Sequence, residues 1–265
     1  MKRIGILVTL IILLASLIAS LSEGKTTKKK STGKKSAITC PGTLNDIGDC
    51  PETGCGPSLD PNLNRQKNIR SLAGAAEPMT IQQIRNLPDP VAGFKIGDTR
   101  EKLAAIGEGK KIVVVANALM VRKGSGESCN CKLTSIADTD NHIVLVDRVL
   151  KIKPGEAARD TLSRREENSI TAEFAPRARL DSPQLTRTNL LPLIQVDGVQ
   201  KVRITGILMF DSEHSLGGHL KRHNNWEIHP VLDMDFCPKK KKCTAGSDDN
   251  WVKLGEQLKG RLRKG

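Results

Sequence analysis

The chain has 265 residues, 38% of them hydrophobic, which is enough for one or two domains with a real core. Aromatic residues make up only 2% and tyrosine is absent, which argues against a protein that stacks successive bases of single-stranded nucleic acid on aromatic side chains. The net charge is +13, but residues 1–36 carry +7 and residues 237–265 carry +6, so residues 37–236 are neutral.

The first part of the chain has the pattern of a secretory signal peptide, predicted over residues 1–22. A basic start, Lys2 and Arg3, precedes an apolar run over residues 4–21, and small residues precede a cut after Ser22. An uncleaved anchor is the alternative, because about 18 apolar residues is the lower limit for crossing a bilayer. Either interpretation places the rest of the chain outside the cytoplasm, secreted or periplasmic.

A location outside the cytoplasm would place the seven cysteines in an oxidising compartment, where disulfides persist. The three cysteines of residues 40–55 are expected to staple their own loop-rich stretch. Cys237 is expected to pair with either Cys243 or Cys131. Because the number is odd, at least one thiol is free or pairs between chains. The spacings lack the second pair that a zinc site made of cysteines needs, so disulfides are favoured.

Between the apolar start and the first strong strand, two segments are predicted. Residues 23–36 are rich in lysine and poor in apolar residues, which predicts a disordered linker. Residues 37–109 predict a loop-rich, cysteine-containing arm with short helices. One helix is expected in residues 79–87, ended by Pro88, and a second in IGDTREKLAAIG, with Asp98 as its N-cap.

Residues 110–237 have the pattern of a barrel. Alternation and β-branched runs predict five strands, in residues 110–124, 142–150, 168–176, 199–212 and 225–236. One helix is expected in residues 182–195, with Ser182 as N-cap and Pro183 at its first position. A helix between the third and fourth of five strands is the order of an OB-fold, a partly open Greek-key barrel. Gly206 suits a bulge in the fourth strand. A generic β-sandwich fragment is the alternative.

Several short motifs resemble a family of uncharacterised secreted bacterial proteins. The last strands of that family read as a glycine-containing strand ending in Asp-x-x-His, followed by Trp-Glu-Ile-His-Pro, and RITGILMFDSEH and NNWEIHPVLDMDFC are similar to them. The sequences CNCKL, DNHIVLV and ITAEFAPRAR are similar to the family as well. The resemblance covers roughly residues 110–237 and rests on short motifs. It implies an OB-like fold, and it implies no established activity.

The last predicted strand carries the most suggestive polar side chains. Alternation along a strand places Trp226 and Ile228 on the core face, and Glu227 and His229 together on the other face. A charge beside a buried tryptophan should have a partner. Arg203, across the sheet, is the expected partner of Glu227.

One functional hypothesis is a metal-dependent, nuclease-like hydrolase. Asp211, His214 and His229 are the predicted ligands, because imidazole and carboxylate groups suit zinc or another first-row divalent cation. His142 and Glu227 are the predicted catalytic residues, with His142 as a proton carrier because the pKa of free histidine lies near neutrality. The alternative is that these histidines lie on a glycine-rich loop and at a strand bend, and bind nothing.

The other hypothesis, favoured by the sequence, is an exported OB-like binding module. OB barrels often bind oligonucleotides or oligosaccharides. Basic ends would add affinity for a polyanion such as nucleic acid, anionic lipid or an envelope polymer. The predicted polyanion-binding residues are Lys28, Lys29, Lys30, Lys239, Lys240, Lys241 and Lys242. Residues 238–265 are otherwise expected to be a solvated basic tail. A barrel that only docks a protein partner is a third interpretation.

Overall fold

The structure is a computed structural model that describes residues 38–56, 59–90, 97–196, 199–214 and 221–262. The predicted signal peptide and lysine-rich linker, with Lys28, Lys29 and Lys30, lie outside the described residues. Within the described ranges, helices long and apolar enough to cross a membrane are absent.

The chain is mainly β, with short helices at the ends and between strands. The strands are β1 (Glu77–Met79), β2 (Lys111–Lys123), β3 (Asn141–Val146), β4 (Ile170–Phe174), β5 (Gln200–Phe210), β6 (Trp226–Phe236) and β7 (Val252–Lys253). The helices are α1 (Pro61–Lys67), α2 (Ile81–Arg85), α3 (Glu101–Ala104), α4 (Ala158–Glu166), α5 (Arg187–Leu191) and α6 (Leu254–Leu262).

Five strands close into a barrel in the order β2-β3-β4-β6-β5, and β5 returns to pair with β2. The pairs are antiparallel except for β4 and β6, which run parallel. Helix α5 lies between β4 and β5 in the chain, and Leu190 at its end is buried in the barrel core. This is an OB-like Greek-key barrel, so the predicted fold class is confirmed.

Strand β2 is long enough to serve both sides of the barrel. Its inward positions, including Ile112, Val114 and Ala116, are buried in strict alternation. Strand β5 changes register against β6 around Gly206, as the sequence predicted. A Cβ atom at Gly206 would lie 2.4 Å from a side-chain carbon of Ile228, so only glycine lets the two strands approach this closely.

The helices agree with the sequence less well than the strands do. Helix α2 is confirmed, but the N-cap of α3 is Arg100 and not Asp98. Helix α5 begins at Arg187 with Thr186 as its N-cap, so the predicted start at Ser182 and Pro183 is wrong. Helix α1 was not predicted, although Asp60 caps it by accepting hydrogen bonds from the next turn and Pro61 begins it. An aspartate followed by proline is a helix start signal that could have found it. Helix α4, between β3 and β4, was also not predicted.

Three disulfides hold the described chain: Cys40–Cys55, Cys50–Cys131 and Cys237–Cys243. Cys129 is free and buried. The staple within the arm and the first of the two options for Cys237 are confirmed, whereas the alternative pairing of Cys131 with Cys237 is wrong. Cys50 joins the arm to the barrel instead. Three disulfides indicate an oxidising environment outside the cytoplasm.

The C-terminal residues up to 262 are folded onto the barrel, which corrects the expectation of a solvated tail. Strand β7 pairs with β6, and Leu254 is buried in the core. The four lysines 239–242 lie within the loop that the Cys237–Cys243 disulfide closes, and all four are exposed. The lysine run is therefore a surface loop attached to a fixed support.

Candidate functional site

A group of acidic and histidine side chains converges where β3 and β4 meet the loop between β2 and β3. Glu127 and Asp140 come from that loop. His142 on β3 and Glu173 on β4 are direct cross-strand partners, so their side chains lie on the same face of the barrel wall. Segments far apart in sequence thus bring four potential ligands together.

These four side chains have the spacing of a cation site. One potential ligand atom from each lies within 4.8 Å of the others: Glu127, Asp140, His142 and Glu173. Asp140 is fully buried, and both of its carboxylate oxygens lack a hydrogen-bond partner among the described residues. Burial raises the pKa of Asp140 to about 7, and the neighbouring charge of Glu127 acts in the same direction. A buried carboxylate without a partner is costly, and a bound cation would satisfy it.

A second layer of charges lies behind these four, on β6. His229 Nδ1 is 3.1 Å from Glu173 Oε2 and 3.2 Å from Glu227 Oε1, and all three side chains are buried. Burial alone would lower the pKa of His229, but its hydrogen bond to Glu173 and the charge of that carboxylate raise it to about 10. The hydrogen bond between His229 and Glu173 therefore helps to fix the position of that carboxylate.

Glu227 is paired with Arg222 at 2.6 Å, and not with Arg203 as expected. Arg203 pairs instead with Asp235 at 2.6 Å and with Asp248. Both side chains of the Glu227–Arg222 pair are almost completely buried. Burial raises the pKa of Glu227, and the nearby charge of Glu173 adds to this effect.

A histidine–aspartate pair lies beside the same group. His214 Nδ1 is 2.8 Å from Asp211 Oδ2, and Arg222 Nη2 is 2.6 Å from that oxygen. The hydrogen bond to Asp211 raises the pKa of His214 to about 9. Burial alone would raise the pKa of Asp211, but the hydrogen bond with His214 and the charges of Lys67 and Arg222 hold it well below its usual range.

The arm contributes a positively charged side chain to the site. Lys67, the last residue of α1, is 1% exposed, and its Nζ lies 2.7 Å from Glu127 Oε2 and 3.6 Å from Glu213 Oε2. Burial alone would lower the pKa of Lys67, but Glu127 and the other acids raise it well above its usual value. Lys67 thus neutralises part of the acidic group and attaches the arm to it.

A cavity of about 240 Å³ opens onto these side chains. It is lined by Arg122, Lys123, Gly124, Ser125, Glu127, His142, Thr171, Glu173, Asp211, His214 and Arg222. A neighbouring cavity of about 210 Å³ shares Ser125, Glu127 and His214 with it. A Cβ atom at Gly124 would lie 2.9 Å from His142 Nε2, so glycine leaves room for the imidazole at this point.

Buried arginines from the segment after β4 hold the loops that carry the site. Arg179 donates hydrogen bonds to the backbone carbonyls of Ala137 and Thr139, at 2.6 and 2.5 Å, just before Asp140. Arg177 donates to the carbonyl of Cys50 in the arm. These contacts give a physical role to the Pro-Arg-Ala-Arg sequence at residues 176–179.

The structure groups the predicted site residues differently from the sequence-based hypothesis. His142 joins the four potential ligands, whereas Asp211, His214 and His229 do not come together as one ligand set. Glu227 lies behind the cavity and lines neither of the two cavities. His223, on the loop before β6, is exposed and donates its backbone N–H to Ser169.

Sequence reasoning missed several contributors. Asp140 stands two residues before His142, so strand parity could have placed both on one face. No local signal marks Glu127, Lys67 or Arg222, because their roles depend on segments distant in the chain.

Comparison with protein-family models, with curated proteins and with solved structures returned no match for this chain. The resemblance to secreted bacterial proteins therefore stays a prediction, and the function rests on the geometry of the site.

Proposed function

We propose that this protein is an exported, divalent-cation-dependent hydrolase whose cation is held by Glu127, Asp140, His142 and Glu173. The observation that carries the proposal is the unpartnered, fully buried carboxylate of Asp140 among three other ligand-type groups. Three carboxylates and one imidazole suit Mn²⁺ or Zn²⁺.

The surroundings of the four ligands support a chemical role as well as a binding role. His142 is half-buried and lines the cavity, which gives a cation a way in and leaves space for a second molecule. A bound divalent cation would polarise a substrate oxygen and lower the pKa of water. His229 holds Glu173, and Arg179 holds the loop of Asp140, so the ligands are fixed by contacts behind them.

Export is part of the same proposal. The predicted signal peptide lies outside the described residues, and the three disulfides support an oxidising compartment. Cleavage after Ser22 would leave a mature chain that begins at Glu23. We expect the intact mass of the protein recovered outside the cytoplasm to match that chain.

Replacing Asp140 by Asn should weaken cation binding by about 100-fold or more, because an amide is a poor substitute for a ligating carboxylate. The same change should stabilise the cation-free protein by about 1–3 kcal/mol, since it removes an unpartnered buried charge. Titration calorimetry with Mn²⁺ and Zn²⁺ measures the first effect, and urea unfolding in a chelator measures the second.

The matched control is Asp147→Asn, an exposed aspartate at the end of β3, which should change neither quantity. If the wild-type protein binds neither cation, or if Asp140→Asn binds as tightly as wild type, the cation site is not where we place it.

Binding of a polyanion through the basic surface is a second candidate function, favoured by the exposed lysine run 239–242. Binding of single-stranded DNA or heparin should weaken steeply with salt. Changing Lys240, Lys241 and Lys242 together to Gln should lower the salt slope by about two to three, since each phosphate contact contributes roughly one.

A triple change of exposed lysines elsewhere, Lys102, Lys151 and Lys153 to Gln, removes the same net charge. If both triple variants weaken binding equally, the affinity comes from overall charge and the lysine run has no special part in it.

A further inference from the structure

We propose that His214, oriented by Asp211, is the proton donor of this site, and that the cavity takes a phosphodiester between His214 and the four cation ligands. This inference rests on the proposed function and names its substrate class and a catalytic residue.

The geometry of the histidine–aspartate pair fits a proton donor. Asp211 is 3% exposed in its side chain and is held by Arg222, whereas the side chain of His214 is 41% exposed. Because Nδ1 of His214 faces Asp211, Nε2 lies on the opposite side of the ring. A buried carboxylate that binds one ring nitrogen sets the orientation of the imidazole and stabilises its protonated form.

His214 is also placed where a substrate could reach it. It lines the cavity of about 240 Å³ that contains three of the four cation ligands, and the neighbouring cavity of about 210 Å³ as well. A molecule in the larger cavity would therefore be within reach of Glu127, His142 and Glu173 as well as His214. Proximity of this kind is the first requirement for general acid catalysis.

The electrostatics favour His214 as an acid over a base. The hydrogen bond to Asp211, at 2.8 Å, raises the pKa of His214 and favours its protonated form. Glu127 adds to this effect, whereas burial and the charge of Lys67 oppose it. Arg222 and Glu213 are further charged groups beside the pair.

An imidazolium and a bound cation at the same cavity favour an anionic substrate with a basic leaving group. A phosphodiester carries its negative charge on non-bridging oxygens, which a divalent cation neutralises. Its alkoxide or phenoxide leaving group needs a proton. Lys123 lines the cavity and adds positive charge to its wall, whereas Arg122, which also lines it, is paired with Glu166.

In the proposed step, hydroxide displaces the leaving group from phosphorus. The oxygen of a hydroxide ion supplied by the solvent forms a bond to phosphorus, and the bond between phosphorus and the leaving oxygen breaks. The leaving oxygen keeps the electron pair and takes the proton from His214 Nε2. The products are a phosphomonoester and an alcohol, and neutral His214 regains a proton from the solvent.

The test compares two diesters that differ in their leaving groups. With Mn²⁺ or Zn²⁺ bound, His214→Gln should lower kcat for diphenyl phosphate by about 100-fold or more, because phenoxide needs the proton. For bis(p-nitrophenyl) phosphate the loss should be about tenfold or less, since p-nitrophenoxide leaves without one. Cation affinity, measured by calorimetry, should be unchanged. The control His223→Gln, an exposed histidine outside both cavities, should behave as wild type.

Asp211→Asn tests the positioning role. Loss of the carboxylate should lower the pKa of His214, so the fall in activity at high pH should begin at lower pH in Asp211→Asn than in the wild type. A variant that was merely misfolded would lose activity at every pH with the profile unchanged.

The outcomes separate this inference from the proposed function. If turnover requires Asp140 and His214→Gln lowers kcat equally for both diesters, the hydrolase proposal stands and the role of His214 is overturned. A wild-type protein that binds the cation and hydrolyses neither diester overturns the role of His214 and leaves the cation site. A wild-type protein that binds no cation overturns the site itself.

Discussion

Replacing Lys67 by Met is expected to destabilise the protein by about 3–5 kcal/mol, because it leaves buried carboxylates without their cation. Lys67 is 1% exposed and contacts Glu127 at 2.7 Å and Glu213 at 3.6 Å. Methionine fills the volume of the lysine stem, so the loss of stability is due mainly to the missing charge and less to packing. Urea unfolding in the presence of a chelator measures the free energy of unfolding.

The same variant should respond to a divalent cation more strongly than the wild type does. Without Lys67, a cation beside Glu127 no longer competes with an ammonium group, so its affinity should rise. Binding to the folded state then restores stability in proportion to the logarithm of cation concentration. The matched control is Lys110→Met, which breaks an exposed pair with Glu77 and should cost about 1 kcal/mol or less. Equal costs for the two variants would show that the buried pair does not hold the arm.

Removing the Cys50–Cys131 disulfide by changing both residues to Ser is expected to cost about 4.5 kcal/mol by loop-closure entropy. The two cysteines are separated by 81 residues, which makes this the longest loop closed by a disulfide in the described chain. Loss of this disulfide should also disturb the cation site. Cys131 lies four residues after Glu127, and the turn between them is held to the arm by this bond and by a hydrogen bond from Asn64 to Ser128.

Cation affinity should therefore fall in the Cys50→Ser, Cys131→Ser variant, together with its stability. The matched variant is Cys237→Ser, Cys243→Ser, which opens a loop of six residues. Loop entropy gives it a cost of about 2 kcal/mol, and it should leave cation binding unchanged. Urea unfolding and calorimetry on both variants check this. Unchanged cation affinity in the first variant would show that the arm does not support Glu127.

Much of the fold followed from local patterns. Alternation and β-branched runs identified the five barrel strands, because a strand with one face in the core must repeat every two residues. The helix before β5 was marked by apolar spacing, and Gly206 within a strand indicated the irregularity that the structure shows there. The same alternation placed Glu227 and His229 together and apart from Trp226, as observed.

The candidate site could be predicted only in part, because only some of its members lie on regular strands. His142 and Glu173 follow from strand parity once β3 and β4 pair. Glu127 and Asp140 lie in a loop of 17 residues between β2 and β3. Asp140 adjoins β3 and could be placed by extending the alternation of that strand, whereas no periodic signal places Glu127. The position of a loop side chain is set by the contacts that hold the loop, such as those from Arg179.

The sequence by itself determined the succession of the five barrel strands along the chain and the neutral body with basic ends. It also determined the residue types available for disulfides and for cation binding. The tertiary structure decided which charges pair and which cysteines join. Arg222, and not Arg203, reaches Glu227. Cys50, which precedes β2 in the chain, joins Cys131, which follows it. Ion pairs and disulfides require atoms to meet within a few ångströms, and that distance depends on how distant segments pack, which local sequence patterns do not encode.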